Sequence, residues 1–165
     1  MATITNYIDL VTVLEAKSYL RIDASNTDSD VELAVMIGSA CNLIENYTQV
    51  YLRPRDEVYY FNSEGYIRLY PKPVNSIELP VTATDYDESI KQLYRLYSRN
   101  NSSLESMTFN LGYDDTADVK PIFKTAILET VKLWFYGSED EAVLKGGYLP
   151  NSVMAILSSE RRFIF

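Results

Sequence analysis

Apolar residues recur along this chain in three regions, and the period of recurrence changes twice. Residues 12 to 51 carry helical spacing. Thr12 followed by Glu15 has the form of a capping box, with Val13, Ala16 and Leu20 on one face of a short helix reaching about Arg21. The segment Ile22 to Thr27 is rich in Asp, Ser and Asn, as turns are. Asp28 or Ser29 can cap the next helix, and Asp30 and Glu32 suit its first turn. Its stripe is Leu33, Ile37, Ala40, Ile44, Tyr47 and Tyr51, at spacings of 4, 3, 4, 3 and 4. Met36, Leu43 and Val50 widen the stripe, which predicts neighbours on more than one side, and Pro54 stops the helix.

Residues 56 to 113 change period. Nine of the fourteen tyrosines lie between Tyr51 and Tyr113, a composition that suits strands. Val58–Phe61, a turn at Asn62–Gly65 and Tyr66–Tyr70 read as a hairpin, ended by Pro71 and Pro73. Further short strands are predicted at Ser76–Leu79, Leu93–Tyr97 and Met107–Leu111. In the last, Met107, Phe109 and Leu111 alternate with Thr108 and Asn110. Ser98–Ser103 reads as a polar loop tip.

Residues 119 to 158 return to helical spacing. Asp118 is the expected cap, Pro121 fits the first turn, and Val119, Phe123, Ile127, Val131 and Trp134 form the stripe that Gly137 ends. Glu139-Asp140-Glu141 reads as a solvated acidic patch and Gly146-Gly147 as a flexible connection. Leu149-Pro150-Asn151 opens a last helix with Val153, Ile156 and Leu157. The expected fold is α+β and mainly α. A helical bundle from both chain ends (residues 10–53 and 117–160) holds an inserted antiparallel β-rich region (residues 55–113). Residues 1–165 read as one domain, with a tail at residues 160–165.

Composition narrows the chemistry. The 165 residues are 47% hydrophobic and 23% charged, which suits one globular domain with a sizeable core. A net charge of -8 argues against gripping DNA by its phosphates, because that binding runs on Lys and Arg displacing counterions. With no histidine, a Ser-His-Asp triad, a Cys-His dyad and any histidine-ligated metal are excluded. The lone Cys41 excludes an internal disulfide and sits mid-helix as a small core residue. An EF-hand beginning at Asp23 would need Gly at position 28 and Glu at position 34, where Asp28 and Ala34 stand. Gly146-Gly147 lacks the Lys-Ser/Thr of a phosphate loop. No cofactor is expected. Residues 1–9 lack the basic and apolar stretches of a signal peptide, and no run reaches the length of a membrane span. A reducing cytosol is the expected site of synthesis, and the sequons at Asn46 and Asn101 are then coincidental.

Chain order adds a resemblance. The first part is Val11-Thr12-Val13-Leu14-Glu15-Ala16-Lys17-Ser18-Tyr19-Leu20-Arg21-Ile22-Asp23, then an Asp-rich linker and a helix ending Leu43-Ile44-Glu45-Asn46-Tyr47-Thr48. The second is Val119-Lys120-Pro121-Ile122-Phe123-Lys124-Thr125-Ala126-Ile127-Leu128, running to Trp134-Phe135-Tyr136, with Leu149-Pro150-Asn151-Ser152-Val153, Ile156-Leu157 and Arg161-Arg162 after it. This order resembles the phage head–tail connector family, also called adaptor or head-completion proteins, over roughly half the chain. The tyrosine-rich middle carries no motif of it. Two departures stand out: Gln49 where the family often has Gly, and Gly137-Ser138-Glu139 where Asn and a charge often follow the aromatic pair.

The resemblance implies a non-enzymatic virion protein, assembled in the host cytoplasm. It implies a ring, commonly of twelve copies, below the portal vertex. Such a ring extends the DNA channel and offers a surface to the next neck or tail protein. The family's C-terminal segment commonly reaches the portal. Carried onto this chain, the docking residues are Arg161, Arg162, Phe163, Ile164 and Phe165, although an apolar end can equally tuck onto its own core. Asp114, Asp115, Asp118, Glu139, Asp140 and Glu141 are candidates for a channel wall that lets DNA slide, or else ordinary solvated loops. Tyr59, Tyr60, Tyr66 and Tyr70 are candidates for a contact between copies, or for packing within the chain. Two other expectations stay open: a different neck component, such as a stopper or tail-completion protein, and a cytosolic carboxylate-dependent hydrolase.

Overall fold

Thr12 starts the first helix as its sequence requires. Its hydroxyl accepts the Glu15 N–H at 3.1 Å, and the Glu15 carboxylate accepts the Thr12 N–H at 2.7 Å. A 3-10 turn at Tyr7–Asp9 precedes it, closed by a capping box between Asn6 and Asp9. The structure is a computed structural model that describes residues 3–60, 66–68, 73–78, 95–97, 106–137 and 149–161. Among them are helices α1 (Val13–Leu20), α2 (Asp30–Thr48), α3 (Pro121–Tyr136) and α4 (Asn151–Leu157). The strands are β1 (Arg55–Tyr60), β2 (Tyr66–Arg68), β3 (Val74–Glu78), β4 (Arg95–Tyr97) and β5 (Ser106–Leu111). The fold is α+β and mainly α, as expected.

The apolar stripes bury as their spacing predicts. Leu33, Ile37, Ala40 and Ile44 of α2 meet Phe123, Ala126, Ile127 and Val131 of α3, with Leu20 of α1 and Val153 and Leu157 of α4 in the same core. A second, smaller core lies against the sheet: Met107, Phe109 and Leu111 of β5 with Val74 and Ile67, flanked by Tyr51 and Tyr59. β5 is the central strand, with β1 and β3 antiparallel on either side. The alternation predicted for Met107, Phe109 and Leu111 holds.

Three local expectations are corrected. The proposed hairpin between Val58–Phe61 and Tyr66–Tyr70 is not the pairing observed. β1 pairs with β5, from Arg55 opposite Leu111 to Tyr60 opposite Ser106, and β2 pairs with β4. Sequence adjacency favours a hairpin, but β5 presents the stronger apolar face, and Tyr59 meets Phe109 edge-on at 5.6 Å. Second, α2 ends at Thr48, before Tyr51. Gln49 turns left-handed at φ 57°, and the Glu45 carboxylate then accepts the Leu52 N–H at 2.7 Å. Third, Asp118 does not cap α3; Lys120 holds the cap position with Pro121 as first helical residue, and Asp118 belongs to the turn before it. The expected loop tip at Ser98–Ser103 and connection at Gly146-Gly147 lie outside the described residues.

Candidate functional site

The residues that follow α4 are held against the helical body. After α4, the N–H groups of Glu160 and Arg161 donate to the Leu157 carbonyl at 2.9 and 3.1 Å. Lys120, at the start of α3, pairs with Glu160 at 2.7 Å. The Arg161 guanidinium stands 4.8 Å from the Tyr47 ring of α2, in cation–π range. The residues that precede the apolar end are therefore held against two helices. Arg162, Phe163, Ile164 and Phe165 lie outside the described residues.

The candidate acids divide into two groups. Asp114, Asp115 and Asp118 lie in the connection from β5 to α3, and two of them shape it. Asp114 accepts the Asn75 amide at 3.0 Å through its carboxylate and the Ile4 N–H at 2.9 Å through its carbonyl. Asp115 accepts the Ala117 N–H at 2.9 Å, an Asx turn. Asp118 is exposed. Glu139, Asp140 and Glu141 lie outside the described residues.

The tyrosines of β1 point to opposite faces. Tyr59 packs on the small core, and its hydroxyl donates to Glu57 at 2.9 Å. Tyr60 is 72% exposed and Val58 52% exposed, on the open face with Asp56. Tyr66 stands opposite Tyr97 in the β2–β4 pair. Tyr70 lies outside the described residues.

Sequence reasoning missed the buried charges that join these regions. Glu45, buried in the last turn of α2, accepts from Leu52 N–H, from the Tyr7 hydroxyl at 2.9 Å and from the Arg55 guanidinium. Arg55, the first residue of β1, also lies over the Tyr51 ring at 3.9 Å. Tyr51 donates to Glu57 at 2.7 Å. The network runs from α2 into the sheet, and its surroundings move several proton affinities. Burial and the Glu45 carboxylate raise Tyr7. Burial and then Glu57 push Tyr51 up to about 12 and raise Tyr59 as well. Burial works to lower Arg55, but Glu45 more than offsets it and holds the guanidinium charged. Cys41 is buried one turn before Glu45, and its thiol is raised by burial first, so it is a poor nucleophile. The available signal was position: Glu45 follows Cys41 by four residues on the buried side of α2.

Lys17 was missed in the same way. It is buried on α1, its ammonium against the Asp30 carboxylate and 3.4 Å from the Ala24 carbonyl. Asp23 accepts the Ser25 hydroxyl at 2.7 Å and its N–H at 2.8 Å, and these bonds lower its pKa. The run Glu15-Ala16-Lys17 to Asp23 thus folds the linker back and aims α2.

No protein-family model matches the chain, and no curated protein matches it. Solved structures do. One is a chain of the neck of an empty gene transfer agent particle, computed with C6 symmetry. Another belongs to the virion of the native gene transfer agent particle. Each is 17% identical, with a TM-score of 0.70, covering 99% of this chain and 96% of that one. This chain shares its fold with a neck chain. The likeness spans the β-rich middle as well as both helical regions, whereas the resemblance in sequence was confined to the helices.

Proposed function

We propose that the protein is a non-enzymatic structural component of the neck of a phage-like particle. Within the neck it is an adaptor ring that joins the portal to the tail or to the next neck protein. The full-length fold similarity to a chain from a gene transfer agent neck carries this reading. Two features of the chain support the finer assignment. Glu160 and Arg161 are held by Lys120 and Tyr47, so the docking tail starts from a fixed point on the helical body. The net charge of -8 suits a conduit, because like-charged walls leave a duplex free to slide. Asp114 and Asp118, exposed on the connection into α3, are the described acids placed to contribute. Tyr60, on the open sheet face, is the described tyrosine placed for contact with another copy.

Native mass spectrometry of the full chain, alone and with its cognate portal protein, tests the reading. A ring-sized assembly that forms alone or on the portal is expected. Deleting Arg162 to Phe165 should leave the circular dichroism melt unchanged and abolish portal attachment. A chain that stays monomeric and ignores the portal would remove the adaptor assignment. Binding to a tail protein alone would move it to another neck position.

A further inference from the structure

The helical body carries two outer faces of opposite charge. α2 contains no Lys or Arg along its 19 residues. On the side away from its buried stripe it exposes Val31 (79%), Val35 (64%) and Glu32, with exposed Asp28 just before the helix. No other described large apolar side chain is as exposed as Val31. Glu32 has no ion-pair partner among the described residues.

α3 is the counterpart. Its exposed side carries Thr125, Lys132 and Tyr136, with Lys124 half-buried at its edge and Lys120 at the helix start. Lys132 and Tyr136 also reach α1, at the Tyr19 ring and the Leu20 carbonyl. Lys120 is committed to Glu160 and Lys132 to Glu129, while Lys124 has no ion-pair partner among the described residues. α2 and α3 bury their stripes against each other, so the valine-bearing face of α2 points away from α3, and Lys124 stands at the flank of the α3 stripe. A ring of many copies needs such a pair. Each subunit offers one patch forward and a different, complementary patch backward, and the contact is heterologous.

We propose that neighbouring copies of this chain meet through these two faces. The acidic, valine-bearing face of α2 in one copy meets the lysine-bearing face of α3 in the next, with Glu32 and Lys124 as opposing charges. This rests on the ring reading above and names the surfaces that close it. The occupant is a second copy because the complementary charges stand on one chain. Covering Val31 and Val35 removes exposed apolar area, and the charges set register and favour the correct approach.

The test is reciprocal charge reversal in the full chain. Assembly is read by native mass spectrometry at low salt, with and without the portal, and folding by circular dichroism melts. Glu32→Lys alone and Lys124→Glu alone should each lower ring yield about tenfold, because like charges then face each other around the whole ring. The double variant E32K/K124E should recover most of that yield. All three should fold, with melts within about 4 °C of the wild type, because Glu32→Lys gives up the small contribution of an acid in the first turn of α2. Singles that assemble normally, or a folded double variant no better than either single, would overturn the surface assignment and leave the ring itself standing. Normal rings of Glu32→Lys that no longer bind portal would reassign the α2 face to the portal. A wild-type chain that never assembles would remove the ring reading first.

Discussion

Among the described residues, the helical body and the sheet bury their apolar faces in two separate clusters. The helices meet through stripes of Leu, Ile, Val and Phe. The sheet closes on Met107, Phe109 and Leu111 as a separate cluster. Polar and charged groups lie between them: Glu45, Arg55, Tyr7, Tyr51 and Glu57 on one side, and the turn from Gly112 to Asp118 on the other. The difference has a physical consequence. Apolar packing is non-directional and tolerates small shifts, whereas hydrogen bonds to a buried carboxylate hold one relative placement. The network therefore sets the angle at which β1 leaves α2, and two independent cores become one arrangement.

The largest expected effect is at Gly112, on the second connection. Its φ is +106°, and a Cβ there would lie 2.1 Å from the Arg53 carbonyl oxygen, which is backbone and cannot swing aside. Gly112→Ala should cost about 3 kcal/mol or more in urea unfolding. Hydrogen exchange should place the loss at the junction and the sheet before the helices. Uniform loss of protection would show that the two regions unfold as one.

Next comes the buried pair. Arg55→Met leaves the Glu45 carboxylate buried with its cation gone, an expected cost of about 3 kcal/mol. Glu45→Gln combined with Arg55→Met removes both charges and keeps an acceptor for the Leu52 N–H. It should cost clearly less, about 1 kcal/mol. Strict additivity of the two single substitutions in chemical unfolding would mean that the pair does not act as a unit.

The smallest effect is alkaline. The Tyr51 pKa is raised in the folded chain from 10.0 to about 12, by burial and by its bond to Glu57. A group held protonated by the fold contributes stability that is present below its unfolded pKa and is lost as pH rises through its folded one. Stability should therefore fall between about pH 10 and pH 12. Tyr51→Phe should flatten part of that fall and leave the acid limb unchanged. An alkaline limb identical in the variant would remove Tyr51 from the account.

The helical half of the fold was legible because its signals are local. The Thr12–Glu15 capping box, Pro121, Gly137 and the stripe from Leu33 to Ile44 lie within a few residues of the positions they control. The alternation of Met107, Phe109 and Leu111 identified β5 for the same reason. Strand partners were not legible. β1 and β5 pair across 45 or more intervening residues, and nothing near Val58 distinguishes β5 from the adjacent β2. The candidate surfaces were half legible. The tail and the acids stood out as composition, but composition does not show that Asp114, exposed like Asp118, bonds Asn75 and Ile4. Val31 and Val35 passed unnoticed, because two valines one turn apart differ from core valines only once the helix has been set in place.

By itself, the sequence determined where α1 starts and α3 stops, the apolar stripes of the helices and of β5, and that histidine chemistry and an internal disulfide have no part in this chain. The tertiary structure decided which strands pair, that α2 ends at a left-handed Gln49, and that Lys17 and Glu45 are buried charges. It also decided which helix faces remain open. The reason is range. Caps, turns and periodicity act within a turn or two of chain. Pairing, charge burial and exposure depend on what another part of the chain brings alongside.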